Sequence, residues 1–132
     1  MKEERKHPAY QARVNQELIE SLQRKIQQKI VLEKKYRDKS YTAKMLAEEL
    51  ETNTRYIAAT LSMRYNTNFN NYINKYRIND AISMLTNKRY AEMNMEKIGL
   101  IVGFSNRQSF YTAFKEITGV SPKVYKRKFI GT

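Results

Sequence analysis

Two adjacent polar side chains, Arg107 and Gln108, follow a glycine-containing turn in the stretch GFSNRQSFYTAFKEITGVSP, residues 103–122. Asn106 is a good N-cap, so the two side chains are expected in the first turn of a helix. Arg pairs well with the O6 and N7 atoms of guanine and Gln with N6 and N7 of adenine, each pair giving about 1–3 kcal/mol of discrimination. The chemistry predicted for this pair is hydrogen bonding to base edges.

The apolar residues of the same helix decide which way the pair points. Four of them recur at the i, i+3, i+4, i+7 spacing of one helix face and are expected to face the core: Phe110, Ala113, Phe114 and Ile117. The opposite face then carries Arg107, Gln108, Tyr111, Thr112 and Lys115, with Tyr111 expected to be exposed. A recognition helix enters the major groove with its N-terminal residues against base edges. For this helix taken alone, an ordinary solvated surface explains the pattern equally well.

The chain contains a second copy of this arrangement. Shifting the sequence by 52 or 53 residues pairs Leu46 with Ile98, Ala47 with Gly99, Glu51 with Gly103, Asn53 with Asn106 and Ile57 with Phe110. Each copy is a short helix, a tight turn and a second helix, which is the helix-turn-helix arrangement. A small residue stands where the first helix must approach the second closely. Because alanine offers only a methyl group to a base, we expect the second copy to carry more of the polar base reading.

The composition indicates a polyanionic partner. Lys and Arg number 25 against 13 Asp and Glu, a formal net charge of +12 over 132 residues, which favours nucleic acid first and an acidic membrane surface second. The absence of cysteine excludes disulfides and thiolate sites. No apolar run approaches the ~18 residues that span a bilayer. We expect a soluble, cytoplasmic protein of one domain or two small subdomains.

Catalysis and metal binding are not expected. The only histidine, His7, lies in a polar opening that we expect to be frayed, so neither a Ser/His/Asp nor a Cys/His arrangement can form. The carboxylates of Glu48, Glu49 and Glu51 cluster on and after one short helix, where a solvated face is a better explanation than a cation site. We predict no catalytic residue, no metal and no cofactor.

The sequence predicts an all-α fold, since no segment has the pattern of a strand. A first long helix is predicted from about residue 11 to 36, with a stripe through Val14, Leu18, Leu22, Ile26, Ile30, Leu32 and Tyr36. A second is predicted over residues 69–85. Short helices are expected to follow four N-caps: Thr42, Asn53, Asn94 and Asn106. The first of these is expected to bury Met45, Leu46 and Leu50.

Two such units at this spacing resemble the DNA-binding domain of the AraC/XylS family of bacterial transcription regulators. The resemblance covers roughly residues 22–129, and its most specific part is KIGLIVGFSNRQSFYTAFKEITGVSPKVYKRKF. It implies seven helices in two homeodomain-like helix-turn-helix subdomains on a long connecting helix. We therefore divide the chain into an N-terminal extension or connector, a first subdomain, a connecting helix, a second subdomain and a tail: residues 1–21, 22–68, 69–85, 86–129 and 130–132.

The resemblance also implies which residues touch double-stranded DNA. Base-reading positions of the family fall on Arg55, Ala59, Arg107, Gln108 and Thr112. Contacts to the DNA backbone fall on Thr42, Lys44, Asn94, Lys97, Lys115 and Lys123. Both recognition helices would enter successive major-groove segments, and RNA polymerase is the expected partner, with activation expected rather than repression. Most family members carry a sensor or dimerisation domain ahead of this one, so we expect the chain to be the C-terminal part of a longer regulator rather than a stand-alone one.

Three positions depart from the family pattern. Asn66 and Glu51 stand where glycine is usual, so the sequence predicts a left-handed asparagine at the first position and a strained or different turn at the second. Ala59 replaces a common Arg, which weakens the expected base reading by the first unit.

Other functions remain open at this point. A lysine-rich helix could lie on an anionic membrane surface or bind a protein partner, and its basic residues are Arg24, Lys25, Lys29, Lys34 and Lys35. Residues 11–36 could pair with a second copy as a coiled coil, although the four-residue spacing drifts from a heptad. RNA binding is a more distant alternative, because the aromatic residues have the spacing of a helical core rather than of a stacking platform.

Overall fold

The computed structural model describes the backbone of residues 8–130 and the side chains of residues 15–129. Seven α-helices and no β-strand lie in that part of the chain, which confirms the all-α prediction. They are α1 (Pro8–Gln27), α2 (Ala43–Glu49), α3 (Thr54–Tyr65), α4 (Phe69–Leu85), α5 (Met95–Val102), α6 (Arg107–Thr118) and α7 (Pro122–Ile130). Among the described residues, no helix is long and apolar enough to cross a bilayer. The predicted frayed opening with His7 and the last two residues of the predicted tail lie outside the described residues.

The single helix predicted from about residue 11 to 36 is wrong at its C-terminal end. A π-helical turn, Gln28–Leu32, continues α1, and Lys34 then ends the helix by adopting a φ of 56°. Leu32, predicted in the apolar stripe, is 68% exposed. Tyr36 is buried as expected, but it lies in a separate 3₁₀ turn, Lys35–Arg37. The side chain of Val14 lies outside the described residues.

Hydrogen bonds to α4 explain why the helix stops, because they hold residues 34–41 in another conformation. The Arg37 guanidinium donates to both oxygens of Asp80, from Nε at 2.7 Å and from Nη2 at 3.0 Å. The Tyr36 hydroxyl donates to the same carboxylate at 2.9 Å, and Arg77 Nε donates to the Tyr36 carbonyl at 2.6 Å. Burial, followed by the hydrogen bond to Asp80, raises the pKa of the Tyr36 hydroxyl. We call residues 34–41 the strap.

The chain forms two compact units, and it passes between them more than once. The first unit comprises residues 1–33, as far as they are described, together with residues 42–69. The second comprises the strap and residues 70–132, again as far as described. The strap therefore belongs to the second unit although the chain on both sides of it belongs to the first.

The first unit buries one face of each of its three helices α1, α2 and α3. α3 contacts both α1 and α2. The Gln23 side-chain amide of α1 donates a hydrogen bond to the Tyr65 hydroxyl of α3 at 3.1 Å. Glu20 of α1 forms an ion pair with Arg64 of α3 at 3.6 Å. The buried residues are Ile19, Leu22, Ile26, Ile30, Leu46, Ala47, Ile57, Thr60 and Leu61. Met45, predicted to face inward, is 37% exposed because Leu46 and Ala47 form the buried face of α2.

The second unit has a more aromatic core, built from α4, α5 and α6. Its buried residues are Ile78, Ala81, Met84, Leu85, Ile98, Val102, Phe104, Phe110, Ala113 and Phe114. Phe114 packs edge-on against Phe110 and against Tyr125 of α7, with ring centroids 5.8 and 5.5 Å apart. A methyl group built on Gly99 would lie 2.7 Å from the Phe110 ring. This confirms the prediction that α5 and α6 approach each other closely at a small residue.

Candidate nucleic-acid interface

The start of α6 is fixed by a tight turn and a side-chain cap. Gly103 ends α5 with a φ of 119°, and the Phe104 amide donates to the Gly99 carbonyl at 2.9 Å. The Asn106 side chain then accepts a hydrogen bond from the Ser109 amide at 2.8 Å, as predicted for an N-cap. The first turn of α6, with Arg107 and Gln108, is therefore held in a defined place relative to the core of the second unit.

The outward face of α6 carries the residues predicted for base reading. Phe110, Ala113 and Phe114 are buried, so the helix presents Gln108, Thr112 and Lys115, all of which are exposed. Ile117, predicted to continue the buried stripe, is 45% exposed. Its position near the end of α6 explains the difference, because the contact to α7 at that end is made by Phe114.

Tyr111, predicted as an exposed residue of this face, is half-buried instead. Its ring packs edge-on against Phe110 with centroids 5.8 Å apart. Its hydroxyl is buried and has no hydrogen-bond partner among the described residues. Tyr111 therefore extends the core rather than the polar face.

Arg107 is exposed but already has intramolecular partners. Its Nη1 lies 3.4 Å from a carboxylate oxygen of Glu96, in the first turn of α5. Its guanidinium carbon also lies 4.9 Å from the centre of the Tyr111 ring. An exposed pair of this kind contributes little to stability, so separating Arg107 from Glu96 costs little.

A polar cleft lies beside α6, and we call it the α6 cleft. Its volume is about 340 Å³, and it is lined by α6 and by Asn74 of α4. Its polar lining residues are Asn74, Asn106, Gln108, Ser109, Thr112 and Glu116. Among the described residues, the side chains of Asn74, Gln108 and Thr112 make no hydrogen bond. Asn74 and Glu116 were not predicted to lie here. Glu116 follows Thr112 at i+4, and this spacing indicates its position on the same face of α6, whereas no spacing along the sequence indicates the position of Asn74, which lies on another helix.

α3, the helix predicted to be the first recognition helix, has different neighbours. The Asn53 side chain caps it by accepting from the Tyr56 amide at 3.0 Å. Arg55 is exposed in its first turn, whereas Ala59 is half-buried and lines an apolar groove of about 730 Å³ between α3 and α1. Three large apolar side chains in this groove, which we call the α3 groove, are partly or largely exposed: Leu18 at 37%, Tyr56 at 43% and Met63 at 70%.

The residues predicted to contact the DNA backbone all lie at the surface. Thr42 and Asn94 are the N-caps of α2 and α5, accepting from the Met45 and Lys97 amides at 3.1 and 2.8 Å. The exposed lysines of the prediction are Lys44, Lys97, Lys115 and Lys123. Amides at helix starts and exposed ammonium groups suit phosphate oxygens. Within residues 15–129 no group of three or more His, Cys, Asp or Glu side chains could hold a metal ion.

A family described as a helix-turn-helix domain matches residues 46–128. An HTH-type transcriptional regulator named from the cgkA 5′ region of Pseudoalteromonas carrageenovora is 35% identical over 74 residues. That match spans 56% of this chain but only 42% of the relative's length.

Two solved structures share the fold over most of the chain. The C-terminal domain of the two-component response regulator YesN from Fusobacterium nucleatum has a TM-score of 0.64 and 25% identity, covering 84% of this chain and 96% of that one. The C-terminal domain of AraT, a response regulator from Geobacillus stearothermophilus, has a TM-score of 0.66 and 27% identity, covering 72% and 76%. The chain belongs to the AraC-type family of helix-turn-helix transcription regulators and contains the DNA-binding domain of that family.

Proposed function

We propose that this chain binds a specific duplex DNA sequence through α3 and α6 and thereby activates transcription. The observation that carries the proposal is the exposed polar face of α6, where Gln108 and Thr112 are free of intramolecular hydrogen bonds among the described residues. Such side chains gain partners on a base edge without first losing any in the protein. The net charge of +12 supplies attraction to any duplex.

In this proposal the two recognition helices contact bases through different types of side chain. Arg107, Gln108 and Thr112 read bases from α6, where Gln suits adenine and Arg suits guanine. Arg55 and Ala59 contact bases from α3, with Ala59 restricted to apolar contact with a thymine methyl group. In the family arrangement the two helices enter successive major-groove segments about 34 Å apart.

Contacts to phosphates fix the position of the protein on the duplex. We assign them to the N-caps and exposed lysines already described: Thr42, Lys44, Asn94, Lys97, Lys115 and Lys123. Each phosphate that a lysine neutralises releases counterions, so binding weakens as salt is raised. These contacts carry affinity without sequence information.

Activation requires a partner beyond DNA. We propose that the bound chain recruits RNA polymerase and that a sensor or dimerisation domain accompanies it in the whole protein. The support for the second part is that the match to the relative from P. carrageenovora spans only 42% of that protein. A cytoplasmic location follows from contact with the chromosome.

Selection from a pool of random duplexes tests the proposal directly. The chain is incubated with the pool at fixed salt, bound duplexes are sequenced over several rounds, and affinity for the selected site is titrated against salt. We expect a bipartite site with its halves one helical turn apart, and a decrease of roughly one unit in the salt slope for Lys115→Ala or Lys123→Ala.

Two results would contradict the proposal. The first is that no preferred sequence is recovered and that the chain binds all duplexes equally, with the same salt dependence. The chain would then bind DNA only through its positive charge. Binding to vesicles containing anionic lipid, with an affinity equal to that for the selected duplex, would favour the membrane alternative. Lys29, one of the basic residues on which that alternative depends, already pairs with Glu33 and Glu49 at 3.5 and 3.8 Å.

A further inference from the structure

Asn74 lies on α4, outside both recognition helices, yet it forms one wall of the α6 cleft. It is half-buried, and its amide has no hydrogen-bond partner among the described residues. The opposite wall carries Gln108 and Thr112 of α6, which are also without partners there. Three side chains with unused donors and acceptors therefore converge on one space of about 340 Å³.

The charge of the cleft decides what kind of group it can receive. Among the described residues that line the α6 cleft there is no Lys or Arg, whereas Glu116 contributes a carboxylate. That carboxylate would repel a phosphate oxygen, and no cation of this lining would offset the repulsion. A base edge, in contrast, is neutral and presents both donors and acceptors in the major groove.

We infer that Asn74 is a specificity-determining residue that contacts a base pair together with Gln108 and Thr112, so that two helices, not one, set the sequence read by the second unit. Glu116 restricts that contact to a base carrying an amino group, because a carboxylate accepts a hydrogen bond from cytosine N4 or adenine N6 but not from a carbonyl edge. The inference rests on the proposed function and deepens it.

The test repeats the duplex selection with Asn74→Ala and with a matched control, Asn79→Ala. Asn79 is an exposed residue of the same helix and does not line the cleft. For Asn74→Ala we expect the preference at one base pair of the second half-site to fall by about 5- to 150-fold, with the salt slope unchanged. Asn79→Ala is expected to give the wild-type preference at every position.

Two outcomes would overturn the inference. If Asn74→Ala selects the same sequences as Asn79→Ala, the amide contacts no base. If it instead weakens binding to all sequences alike, the amide contacts the DNA backbone and not a base. Failure of the proposed function is distinguishable from both, because the wild-type chain would then select no sequence at all.

A second variant tests the same cleft from α6. Glu116→Gln replaces the carboxylate by an amide that both donates and accepts, so the preference for an amino-bearing base at that position is expected to be lost. Glu92→Gln, at an exposed glutamate outside the cleft, removes the same charge and is expected to keep the preference. Equal selection by these two variants would contradict the role of Glu116. Thermal unfolding followed by circular dichroism establishes that all four variants are folded.

Discussion

α3 and α6 are each 12 residues long and begin after an asparagine cap. Their buried residues correspond one to one, since Ile57, Thr60 and Leu61 of α3 align at an offset of 53 with Phe110, Ala113 and Phe114 of α6. The spaces beside them differ: the α3 groove is lined mainly by apolar side chains and the α6 cleft by polar ones. The same helix-turn-helix arrangement therefore has mainly apolar side chains at the surface beside α3 and polar side chains beside α6.

The turns that precede the two helices also differ. The amides of Thr52 and Phe104 donate to the carbonyls of Ala47 and Gly99 at the same distance of 2.9 Å, so both short helices end in the same hydrogen-bonded way. The left-handed position is filled by Glu51 in the first turn, at a φ of 55°, and by glycine in the second. The first unit thus keeps a side chain where the backbone disfavours one.

These differences indicate how a duplicated motif divides its tasks. The second unit combines a glycine turn, an aromatic core and polar side chains that have no hydrogen-bond partner among the described residues. The base reading proposed for α6 needs such a rigid support and such free hydrogen-bonding groups. The first unit offers Ala59 and an apolar groove, and it suits contacts of shape and methyl groups. Affinity and sequence preference are then expected to depend unequally on the two helices.

The largest effect on stability is expected at the turn of the second unit. Gly103→Ala would force a φ of 119° on alanine, and its methyl group would overlap the Tyr36 carbonyl and lie 2.6 Å from Arg77 Nε. Strain and overpacking together are expected to lower the free energy of unfolding by about 3 kcal/mol or more. Urea unfolding followed by circular dichroism measures the loss.

Gly119→Ala provides the control for this prediction. Gly119 also has a positive φ, 87°, but nothing lies within 4 Å of the methyl group that alanine would add. Gly119→Ala is therefore expected to lower the free energy of unfolding by only about 1–2 kcal/mol, the cost of an alanine in the left-handed conformation. Equal losses for the two variants would show that the strap does not press on the Gly103 turn.

The sequence predicted most of the features that depend on residues close together in the chain. All four N-caps were correct, since Thr42, Asn53, Asn94 and Asn106 each accept a hydrogen bond from the amide three residues later. The close approach of α5 to α6 at Gly99 was also predicted correctly, because helix periodicity and residue size are local properties. The left-handed conformation of Asn66 was also correct, since it follows from alignment with a glycine position. Glu51, for which the sequence predicted a strained or different turn, keeps the left-handed conformation of the glycine it replaces.

What the sequence did not predict depends on contacts between distant residues. The end of α1 is decided by Asp80, more than 40 positions away from the strap residues that it binds. Tyr111 falls on the polar side of a helical wheel, yet it packs against Phe110. Asn74 reaches the α6 cleft only because α4 passes beside α6. No periodicity within one helix contains this information.

The second-largest effect on stability is expected at an ion pair of the second unit, and an ion pair of the first unit provides the comparison. Asp80 receives two hydrogen bonds from Arg37 and one from Tyr36, and its side chain is only 12% exposed. Asp80→Asn is expected to lower the free energy of unfolding by about 1.5–3 kcal/mol, because bonds to a poorly solvated charge are lost. The pair between Glu20 and Arg64 in the first unit is longer, at 3.6 Å, and more exposed.

Glu20→Gln is therefore the matched control in the first unit. An exposed pair of this length contributes at most about 1 kcal/mol, so its loss is expected to be small in the same urea titration. Raising the salt concentration is expected to weaken the Glu20 pair more than the Asp80 pair. A loss for Glu20→Gln as large as that for Asp80→Asn would contradict the distinction between the two units.

The comparison of base reading predicts unequal effects on DNA specificity. Gln108→Ala is expected to lose about 1–3 kcal/mol of discrimination at one base pair, measured as the ratio of affinities for the selected duplex and its single-base variant. Ala59→Gly removes only a methyl group from the equivalent face of α3 and is expected to lose less than about 1 kcal/mol. Equal losses would contradict the comparison by giving both units the same share of the sequence preference, and a reversed order would assign most of it to the first unit.

The smallest effect is a gain of stability at the turn of the first unit. Glu51→Gly removes a side chain from a left-handed residue, and the relief is partly offset by the greater freedom of glycine in the unfolded chain. We expect the free energy of unfolding to rise by about 0.5–1 kcal/mol. Asn66→Gly is the matched control, because Asn66 has nearly the same φ, 51°, but asparagine tolerates that conformation. A gain at Asn66 equal to the gain at Glu51 would mean that the first turn stores no strain of its own, and the contrast with the Gly103 turn would then come from the packing around the strap alone.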